Sequence, residues 1–378
     1  MEDVAKLIGK RIVFFIMHLG VGGAQKVAAF VMNELVNQGA DVYTVCFTEK
    51  QEHVKLSKEV KRVFIGIEPF SPAGSNVFKK ISIKTKAIVR FSHIIKNIDP
   101  DCVVMFGPEL LSNLALTLSR YKGAVIECER GDIAARGRVY RGILKKYVKK
   151  CDAAVFQFPG AMKGYGINLP EKTFVIPNPC SSVKDNHNSD VDRAFGGIVS
   201  VGRLVPEKGF VTLIYAFKMV HDIFPDKHLT IYGEGPDRIR LLHIIDKIEL
   251  SEFVHLPGEI ENPSSLISKA ELFVLSSEYE GLPNTLIEAM SLGVPVVATD
   301  CAPGGACFLT DCGTIGGPLV PPSNSKKMAT AIIEMLRDRD KAEQLGAAGK
   351  KICDLYSPSM VSDLWLNLFE FCLCESRR

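Results

Sequence analysis

Two basic residues stand five positions apart in the segment Gly202–Gly209, directly after an apolar run typical of a buried strand. Arg203 carries a permanently charged, planar fork of donors, and Lys208 carries a compact ammonium group. Pro206 lies between them and favours a turn, so both cations can converge on one group. Guanidinium and ammonium groups bind phosphate oxygens through charge-assisted hydrogen bonds. The pair therefore predicts a diphosphate-binding site rather than a merely solvated loop.

A second segment, Ser276–Met290, contains two carboxylates on either side of a Gly-Leu-Pro turn. Glu280 follows a strand-like run, and Glu288 stands eight residues further on, close to two helical turns. We expect both acids at one edge of the sheet, where they accept hydrogen bonds from sugar and ribose hydroxyls. Gly281 allows close backbone approach, and a helix starting after the turn offers N–H groups to phosphate oxygens.

A glycine-rich loop, His18–Gln25, follows the first strand-like run. Glycines between a strand and a helix let backbone N–H groups approach a phosphate or a sugar. A dinucleotide fingerprint starting at Gly20 would need a third glycine at position 25, where Gln25 stands. The loop therefore disfavours a nicotinamide cofactor, and alone it does not distinguish a ligand site from a tight turn.

Short, β-rich apolar runs alternate with amphipathic stretches along the chain, a pattern that predicts parallel sheets covered by helices. The predicted strands are Arg11–Met17, Asp41–Phe47, Arg62–Ile67, Cys102–Phe106, Ala124–Glu127, Ala153–Phe156, Thr173–Ile176, Gly197–Val201, Leu229–Tyr232, Phe253–Leu256, Leu272–Leu275 and Val294–Thr299. After Pro322 the pattern is helical to the end of the chain.

A polar tract of Ser, Asn and Asp residues at Ser181–Arg193 separates two such series. Because 378 residues exceed what one hydrophobic core usually covers, we predict two domains. The fold class is α/β, with two doubly wound Rossmann-like domains facing a cleft. Their predicted bounds are 1–179 and 196–360, with a linker at 180–195 and a C-terminal helix at 361–378.

The net charge of +3 hides an asymmetry between the two halves. Residues 1–180 hold 27 basic and 16 acidic side chains, and the remainder holds 19 and 27, so the first half is expected to meet something anionic. No apolar stretch reaches the ~18 residues of a membrane span, and no signal-peptide pattern follows Met1, so a cytoplasmic protein is expected. The 11 cysteines include no C-x-x-C pair, which predicts reduced, unligated thiols.

The most basic stretch runs from Arg136 to Lys150, where seven basic residues interleave with apolar ones at helical spacing. A second cluster lies between Lys79 and Arg90. One interpretation is a helix lying on an anionic membrane surface; the other is a helix whose apolar side packs inward while the charges face water. No recognition motif supports a nucleic-acid partner.

Taken in order, these segments resemble the retaining glycosyltransferases of family 4, which have the GT-B fold of two Rossmann-like domains. The likeness extends along nearly the whole chain. It is carried by Gly22-Gly23-Ala24-Gln25 (with Gln25 in place of the family's acid), Ile176-Pro177-Asn178-Pro179, Gly202-Arg203 with Lys208-Gly209, Tyr232-Gly233-Glu234-Gly235-Pro236, the Glu-x7-Glu pair Glu280 and Glu288, and the strand Gly293–Ala298.

The resemblance implies that residues 196–360 bind a nucleotide-sugar donor and residues 1–179 an acceptor. Arg203 and Lys208 would neutralise the leaving diphosphate in place of a metal, and Glu280 would hold the transferred sugar. These three are the implied catalytic residues, and neither a cofactor nor a metal is required. The implied donor-binding residues are Gly22, Gly23, Gly202, Glu234, Gly235, Pro257, Gly281, Asn284, Thr285, Leu286 and Glu288.

One segment departs from the family pattern. Many members carry a His after the strand that corresponds to Ala124–Glu127, whereas this chain continues as Cys-Glu-Arg-Gly-Asp. The segment is similar to a Glu-Arg-Asn-Asp variant in enzymes of bacterial surface-polysaccharide assembly. Glu129, Arg130 and Asp132 are therefore the acceptor-side candidates, and which of them takes the place of the His stays open.

The resemblance implies a retaining glycosyltransferase that moves a hexose or N-acetylhexosamine from a UDP-sugar, with a C-terminal helix at 361–378 that crosses back to the first domain as in related folds. Because the first half of the chain is basic, the enzyme is expected to use a polyprenyl-diphosphate-linked glycan as its acceptor. It would act peripherally at the inner face of the cytoplasmic membrane. An inert nucleotide-sugar-binding or scaffolding subunit is an alternative, disfavoured because Arg203, Lys208, Glu280 and Glu288 are all present. An oxidoreductase is disfavoured by the interrupted glycine fingerprint, and a GT-B epimerase would convert donor without any acceptor.

Overall fold

The computed structural model describes residues 7–20, 22–49, 52, 54–67, 77–107, 110–131, 133–166, 169–180, 197–260 and 262–375. The chain divides into two compact units. Unit 1 comprises Met1–Pro177 together with Ser359–Arg378, and unit 2 comprises Asn178–Pro358. Asp132 and nearly all of the predicted linker, residues 181–195, lie outside the described residues.

Unit 1 contains a seven-stranded parallel sheet of order β3-β2-β1-β4-β5-β6-β7. Its strands are β1 Arg11–Phe15, β2 Asp41–Cys46, β3 Lys61–Phe64, β4 Cys102–Phe106, β5 Ala124–Cys128, β6 Ala153–Phe156 and β7 Thr173–Val175. The central strands β1 and β4 are apolar and buried almost throughout, as expected of strands covered on both faces. The strand order reverses between β1 and β4, which makes the sheet doubly wound.

Five helices cover this sheet within the described residues: α1 Gly23–Asn37, α2 Val77–Ile98, α3 Leu110–Ser119, α4 Arg138–Val148 and, from the end of the chain, α13 Pro358–Glu375. Trp365 and Phe369 of α13 are buried. Their ring centroids lie 6.3 Å from that of Phe106 and 6.2 Å from that of Phe14, respectively. The last helix of the chain therefore completes the aromatic core of unit 1.

Unit 2 contains a six-stranded parallel sheet of order β10-β9-β8-β11-β12-β13. Its strands are β8 Ile198–Val201, β9 Leu229–Tyr232, β10 Val254–Gly258, β11 Leu272–Leu275, β12 Val296–Thr299 and β13 Leu319–Val320. The helices are α5 Phe210–His221, α6 Arg238–Lys247, α7 Pro263–Ile267, α8 Asn284–Ser291, α9 Gly305–Leu309, α10 Ser325–Arg337, α11 Arg339–Gly349 and α12 Ile352–Leu355. Its core includes Leu213, Phe217, Ile231, Val274 and Ile332, all fully buried.

The predicted α/β class with two doubly wound parallel sheets is confirmed. Each predicted strand has a counterpart, with ends shifted by a few residues: the run predicted at Arg62–Ile67, for example, is β3 at Lys61–Phe64. Strand β13 was not predicted, because a two-residue strand has no detectable alternation.

Two of the 11 cysteines differ from the expectation of free thiols. Cys307 and Cys312 form a disulfide, so the expectation is wrong for this pair. The thiols of Cys180 and Cys353 lie 3.4 Å apart and are not bonded. The described residues contain no group of three or more His, Cys, Asp or Glu side chains placed to hold a metal ion. Among those residues, no helix combines the length and hydrophobicity needed to cross a membrane.

Candidate active site

Many of the residues singled out in unit 2 lie in loops at the carboxyl ends of its strands, and others lie on α8, which follows one of these loops. Residues 202–209 connect β8 to α5, residues 233–237 connect β9 to α6, and residues 276–283 connect β11 to α8. Strands β8 and β11 are neighbours, and the strand order reverses between them. In doubly wound sheets this switch point is where ligands bind, so three separate sequence motifs meet at the expected binding edge of unit 2.

The backbone of the loop after β8 is fixed against the loop after β11. The turn Pro206–Lys208 ends at Gly209, whose φ of 63° lies in the left-handed region. A Cβ at Gly209 would overlap the carbonyl oxygen of Ser276, so a side chain is excluded for steric as well as conformational reasons. The Ser276 hydroxyl in turn donates to the Lys208 carbonyl oxygen at 2.8 Å. Lys208 therefore projects from a rigidly held turn.

Lys208 and Glu280 form an ion pair in which the ammonium Nζ donates to the carboxylate Oε1. Their side chains are 22% and 18% exposed, respectively. The Glu280 N–H donates to the carbonyl oxygen of Ala302 at 3.2 Å, which holds the acid near the end of β12. Partly buried pairs are screened by salt less than surface pairs, so this pair keeps two charges ordered at the site. Two of the three implied catalytic residues are thus brought together.

Arg203, the third implied catalytic residue, is exposed. Its chain neighbour Leu204 is buried and anchored: the Leu204 N–H donates to the Glu234 carbonyl oxygen, and the Asp237 N–H donates to the Leu204 carbonyl oxygen, both at 2.9 Å. Within the part of the chain that the structure describes, the guanidinium itself has neither a hydrogen bond nor an ion pair. The backbone around Arg203 is therefore held in place, while its guanidinium group is available to bind a ligand.

Glycines allow the loops after β8, β9 and β10 to pack backbone against backbone. The Gly233 N–H donates to the Gly258 carbonyl oxygen at 2.8 Å. A Cβ at Gly233 would overlap the Gly202 carbonyl oxygen, and one at Gly235 would overlap that of Leu204. The close approach therefore requires glycine at positions 233 and 235, whereas a Cβ at Gly202 would make only ordinary van der Waals contacts.

Glu234 is exposed and pairs with Arg238, with 3.0 Å between carboxylate and guanidinium. Arg238 also donates to the carbonyl oxygen of Leu256 at 2.7 Å, beside the exposed Pro257 at the end of β10. The structure thus brings Glu234 and Pro257 to one end of the sheet, and their contact with a nucleotide stays a prediction.

Helix α8 begins at Asn284, directly after the Gly-Leu-Pro turn. The Asn178 side-chain amide donates to the Asn284 Oδ1 at 2.6 Å and to the Leu282 carbonyl oxygen at 3.2 Å, fixing this start. Asn284 and Thr285 are half-exposed, and Leu286 is buried. The helix start therefore lies at the binding edge of the sheet, as a phosphate site at a helix N-terminus requires.

The two acids of the Glu-x7-Glu signature lie in different surroundings. As predicted, Glu280 follows a strand, and Glu288 lies on α8, which begins four residues after Glu280. Glu280 lies beside Lys208 and Cys301: burial raises the pKa of the Cys301 thiol to about 11, and the Glu280 charge adds to the rise. Glu288, on α8 and half-buried, lies near Cys180, whose pKa is raised to about 12 by burial, by the Cys353 contact and by the Glu288 charge.

In unit 1, Gly22 and Gly23 lie at the carboxyl end of β1, where helix α1 begins. Gly22 has extended backbone, and its carbonyl oxygen accepts the Lys26 N–H at 3.2 Å, closing the first helical turn. The Gly20 N–H donates to Nδ1 of His18 at 3.1 Å. The loop is thus a short strand-to-helix turn of unit 1, and its donor contact stays a prediction.

The acceptor-side candidates after β5 interact mainly with the protein itself. Glu129 is buried; its Oε1 accepts the N–H groups of Arg130 and Gly131 at 3.1 and 3.0 Å, and its Oε2 accepts the hydroxyl of Tyr165. The guanidinium carbon of Arg130 lies 4.1 Å from the Phe106 ring centroid and 5.6 Å from that of Trp365. Burial lowers the Arg130 pKa to about 10, so the group stays charged at neutral pH.

Several positioning residues were not predicted. Asn178 belongs to a recognised motif, but its contact with Asn284 joins residues 106 positions apart. Ser276 fixes Lys208 across 68 positions, and Tyr165 reaches Glu129 across 36. No periodicity or spacing signals such contacts, because they depend on how strands are ordered in the sheet.

The two doubly wound parallel sheets are those of the GT-B fold, and unit 2 carries a Lys–Glu pair and an exposed Arg at its switch point. Residues 186–352 match the glycosyl transferases group 1 family. An uncharacterized glycosyltransferase of Methanocaldococcus jannaschii is 36% identical over 146 residues, which make up 36% of this chain and 36% of that protein.

A Campylobacter jejuni relative is 26% identical over 338 residues, covering 86% of this chain and 89% of its own length. It is named N-acetylgalactosamine-N,N'-diacetylbacillosaminyl-diphospho-undecaprenol 4-alpha-N-acetylgalactosaminyltransferase. A crystal structure of S. aureus TarM with UDP, fondaparinux and alpha-GlcNAc-glycerol has a TM-score of 0.78 at 16% identity, over 95% of this chain and 99% of that chain. The resemblance inferred from the motifs is confirmed: residues 186–352 are a group 1 glycosyltransferase region, and relatives act in bacterial polysaccharide and lipid-linked glycan synthesis.

Proposed function

We propose that the protein is a retaining glycosyltransferase that moves a hexose or N-acetylhexosamine from a UDP-sugar to a polyprenyl-diphosphate-linked glycan, without a metal ion. The proposal is carried by two features at the carboxyl edge of the unit 2 sheet, the Lys208–Glu280 ion pair and the exposed Arg203.

The two cations supply the charge that a departing diphosphate needs. Arg203 and Lys208 stabilise the negative charge that builds on the leaving oxygens, and their backbones are already held in place before the donor arrives. The N–H groups at Asn284–Leu286 bind the distal phosphate at the positive end of α8. These contacts take over the role that a divalent cation has in other phosphate-transfer sites, so the reaction is proposed to be insensitive to chelators.

Glu280 accepts hydrogen bonds from hydroxyls of the transferred sugar, while its neighbour Lys208 turns towards the diphosphate. Glu288 accepts hydrogen bonds from the ribose hydroxyls, and Glu234 with Pro257 borders the nucleotide. The UDP assignment is supported by the UDP bound to TarM, which shares the fold. Retention is supported by the name of the C. jejuni relative, which specifies an alpha linkage, since an α-configured nucleotide sugar gives an alpha product when configuration is retained.

The acceptor class is supported by charge and by that same relative, whose name contains diphospho-undecaprenol. Residues 1–180 carry the basic excess, and α4 has Leu144 and Val148 buried while Val139 and Ile143 are exposed beside its Arg and Lys residues. An anionic lipid headgroup at a membrane surface matches this combination. Location at the inner face of the cytoplasmic membrane belongs to the same proposal.

A thermal-shift screen against nucleotides and nucleotide sugars, each with and without EDTA, tests the donor part. A ligand that binds only the native state raises the Tm by mass action. We expect a shift with UDP and with at least one UDP-sugar, unchanged by EDTA and absent in the Arg203→Ala variant. A Lys218→Ala variant, which removes an exposed cation on α5, serves as the matched control. A cooperatively melting protein that no nucleoside diphosphate stabilises would contradict the proposal.

Release of UDP from the UDP-sugar identified in the screen, with and without a polyprenyl-diphosphate-linked glycan, tests turnover. We expect slow hydrolysis alone and faster release with acceptor. An NMR coupling constant of the new anomeric proton reports retention or inversion. Inverted product, or turnover that EDTA abolishes, would overturn the corresponding part of the proposal.

A further inference from the structure

A cavity of about 420 Å³ opens at the carboxyl edge of the unit 1 sheet. Met17 lines it just after β1, Phe47 just after β2, Leu110 at the start of α3 after β4, and Tyr140 on α4 after β5. The order reverses between β1 and β4, so the cavity spans the switch point of this sheet, where doubly wound folds bind ligands. Its volume lies within the range of ligand pockets, roughly 300–1,000 Å³.

The wall of the cavity is apolar and offers almost no free hydrogen-bonding capacity. Ile81 and Ile88 of α2 line it together with Leu111 and Leu114 of α3. Of its two hydroxyl groups, that of Thr85 donates to the Ile81 carbonyl oxygen at 3.0 Å, and that of Tyr140 accepts the Leu110 N–H at 3.1 Å. A sugar ring would lose hydrogen bonds on entering such a space, whereas a hydrocarbon chain would lose none. The wall therefore favours a hydrocarbon ligand.

The mouth of the cavity combines apolar and cationic groups. Ile81 is 56% exposed and Leu114 is 37% exposed, so both lining residues also present apolar surface to solvent. Lys84 is the charged residue of the lining, and the Arg136 guanidinium lies 5.5 Å above the Tyr140 ring centroid. A ligand that matches both features has a hydrocarbon chain that ends in an anionic group.

We propose that this cavity binds the isoprenyl segment next to the phosphates of the lipid-linked acceptor, with the phosphates beside Lys84 and Arg136. The proposal rests on the proposed function, because it places the lipid part of the acceptor named there. The occupant is a single prenyl chain rather than the bilayer, since a concave cavity takes in one chain whereas a bilayer contacts protruding side chains. Recognition of the lipid then belongs to the protein and not only to the membrane.

Isothermal titration of the full-length protein with farnesyl diphosphate, below the concentration at which it forms micelles, tests the proposal. We expect saturable one-to-one binding. Leu114→Trp fills the mouth from α3 and should weaken binding about tenfold or more by excluding several methylene-sized groups. Leu118→Trp is the matched control, because Leu118 lies one turn further along α3, is 51% exposed and does not line the cavity. It should change the affinity less than about twofold.

Two further binding measurements distinguish this cavity from the donor site of unit 2. Inorganic diphosphate should bind far more weakly than farnesyl diphosphate, and Arg203→Ala should leave farnesyl diphosphate binding unchanged. Equal loss of binding in the Leu114→Trp and Leu118→Trp variants would overturn the proposal. The proposal is also overturned if farnesyl diphosphate fails to bind while phosphatidylglycerol vesicles bind and both tryptophan variants change that binding equally, which would identify a bilayer contact.

A UDP thermal shift recorded on the same samples keeps the two proposals distinguishable. Stabilisation by UDP without farnesyl diphosphate binding would overturn the prenyl site and leave the proposed donor chemistry standing. Farnesyl diphosphate binding that Leu114→Trp weakens, without any UDP shift, would support the prenyl site and contradict the proposed function.

Discussion

The two units use the charged residues that follow their strands in opposite ways. In unit 1, Glu129 is buried and accepts hydrogen bonds from Tyr165 and two backbone amides, and Arg130 lies between aromatic rings. In unit 2, Lys208 and Glu280 pair at a partly exposed position, and Arg203 is exposed without a partner among the described residues. Charged side chains in loops at the carboxyl ends of the strands therefore stabilise unit 1, whereas in unit 2 they are available to bind a ligand.

This difference teaches which charges a substrate can use. A buried group whose hydrogen bonds are already made contributes to the fold, and removing its partner leaves a costly unsatisfied charge. An exposed or singly paired group can exchange its partner for a ligand at little cost. Substitutions in the unit 2 loops should therefore reduce activity more than stability, and substitutions around Glu129 should do the reverse.

The largest effect is expected from Arg203→Ala. Loss of a preorganised charge on the leaving diphosphate should lower kcat by about 10²–10³-fold while the Tm stays close to that of the wild type. Steady-state release of UDP and a thermal melt measure the two quantities. Lys218→Ala, the exposed control on α5, should retain full turnover. Wild-type turnover in Arg203→Ala would remove the role assigned to this residue and, with it, the contrast between the units.

Gly209→Ala should lower both stability and turnover. The alanine Cβ would meet the Ser276 carbonyl oxygen at a left-handed φ of 63°, so the free energy of unfolding should fall by about 2 kcal/mol or more, with displacement of Lys208. A Cβ at Gly142, on α4 of unit 1, would meet no atom of the described residues within 4 Å, so Gly142→Ala should be neutral or stabilising by up to about 1 kcal/mol. Urea denaturation compares the two. Equal stability of both variants would show that the loop after β8 is not held as described.

Tyr165→Phe tests whether the charged residues of unit 1 contribute mainly to stability. It removes the hydroxyl that donates to the buried Glu129, so the free energy of unfolding should fall by about 1–3 kcal/mol. Tyr215→Phe, at an exposed position of α5, should change it by less than about 0.5 kcal/mol. A variant that keeps wild-type stability but loses kcat would instead give Glu129 a direct role towards the acceptor.

The smallest effect is expected at the opposite edge of the unit 2 sheet. Burial and the neighbouring His228 lower the pKa of His255 below its ordinary value of 6.5, and the two ring nitrogens lie 3.0 Å apart. Because the unfolded chain takes up this proton at a higher pH than the folded chain, stability should decrease as the pH falls below about 6.5. Thermal melts at about pH 7.5 and about pH 5.5, on either side of that value, should show a smaller difference in His255→Gln than in wild type or in the exposed control His243→Gln. If the Tm difference between the two pH values is the same in His255→Gln as in wild type, the pH dependence of stability comes from other groups.

The order of elements could be predicted because each strand is a short apolar run bounded by turn residues, as at Leu229–Tyr232 and Leu272–Leu275, whose ends are as predicted. The motif residues could be predicted as a set because glycines and charges recur at loop positions. The residues that contact and position them could not be predicted. Glu280 was expected after a strand, but its contacts with Lys208 and with the Ala302 carbonyl oxygen join residues 72 and 22 positions away in the chain.

The acceptor-side candidates show a second limit. Glu129 and Arg130 look like reactive residues in the sequence because charges after a strand usually face a ligand. The hydrogen bond of the buried Glu129 depends on Tyr165, and one aromatic contact of the half-buried Arg130 depends on Trp365, which is 235 positions later in the chain. Such long-range packing leaves no local signal. The apolar cavity of unit 1 was missed for the same reason, since Phe47, Ile88 and Leu111 are indistinguishable from ordinary core residues in the sequence.

Because α13 belongs to unit 1, the two parts of unit 1 are synthesised at different times, separated by the whole of unit 2. All residues of unit 2 are synthesised before Trp365 and Phe369, whereas the last strand of the unit 1 sheet ends at Val175. At a synthesis rate of about 5–20 residues per second, roughly 10–40 s pass between the end of the unit 1 sheet and the synthesis of Trp365 and Phe369, which pack on Phe106 and Phe14. The unit whose synthesis begins first is therefore the last to have its full sequence, and a chain that ends at Pro358 would contain every residue of unit 2 but a unit 1 without its aromatic cover.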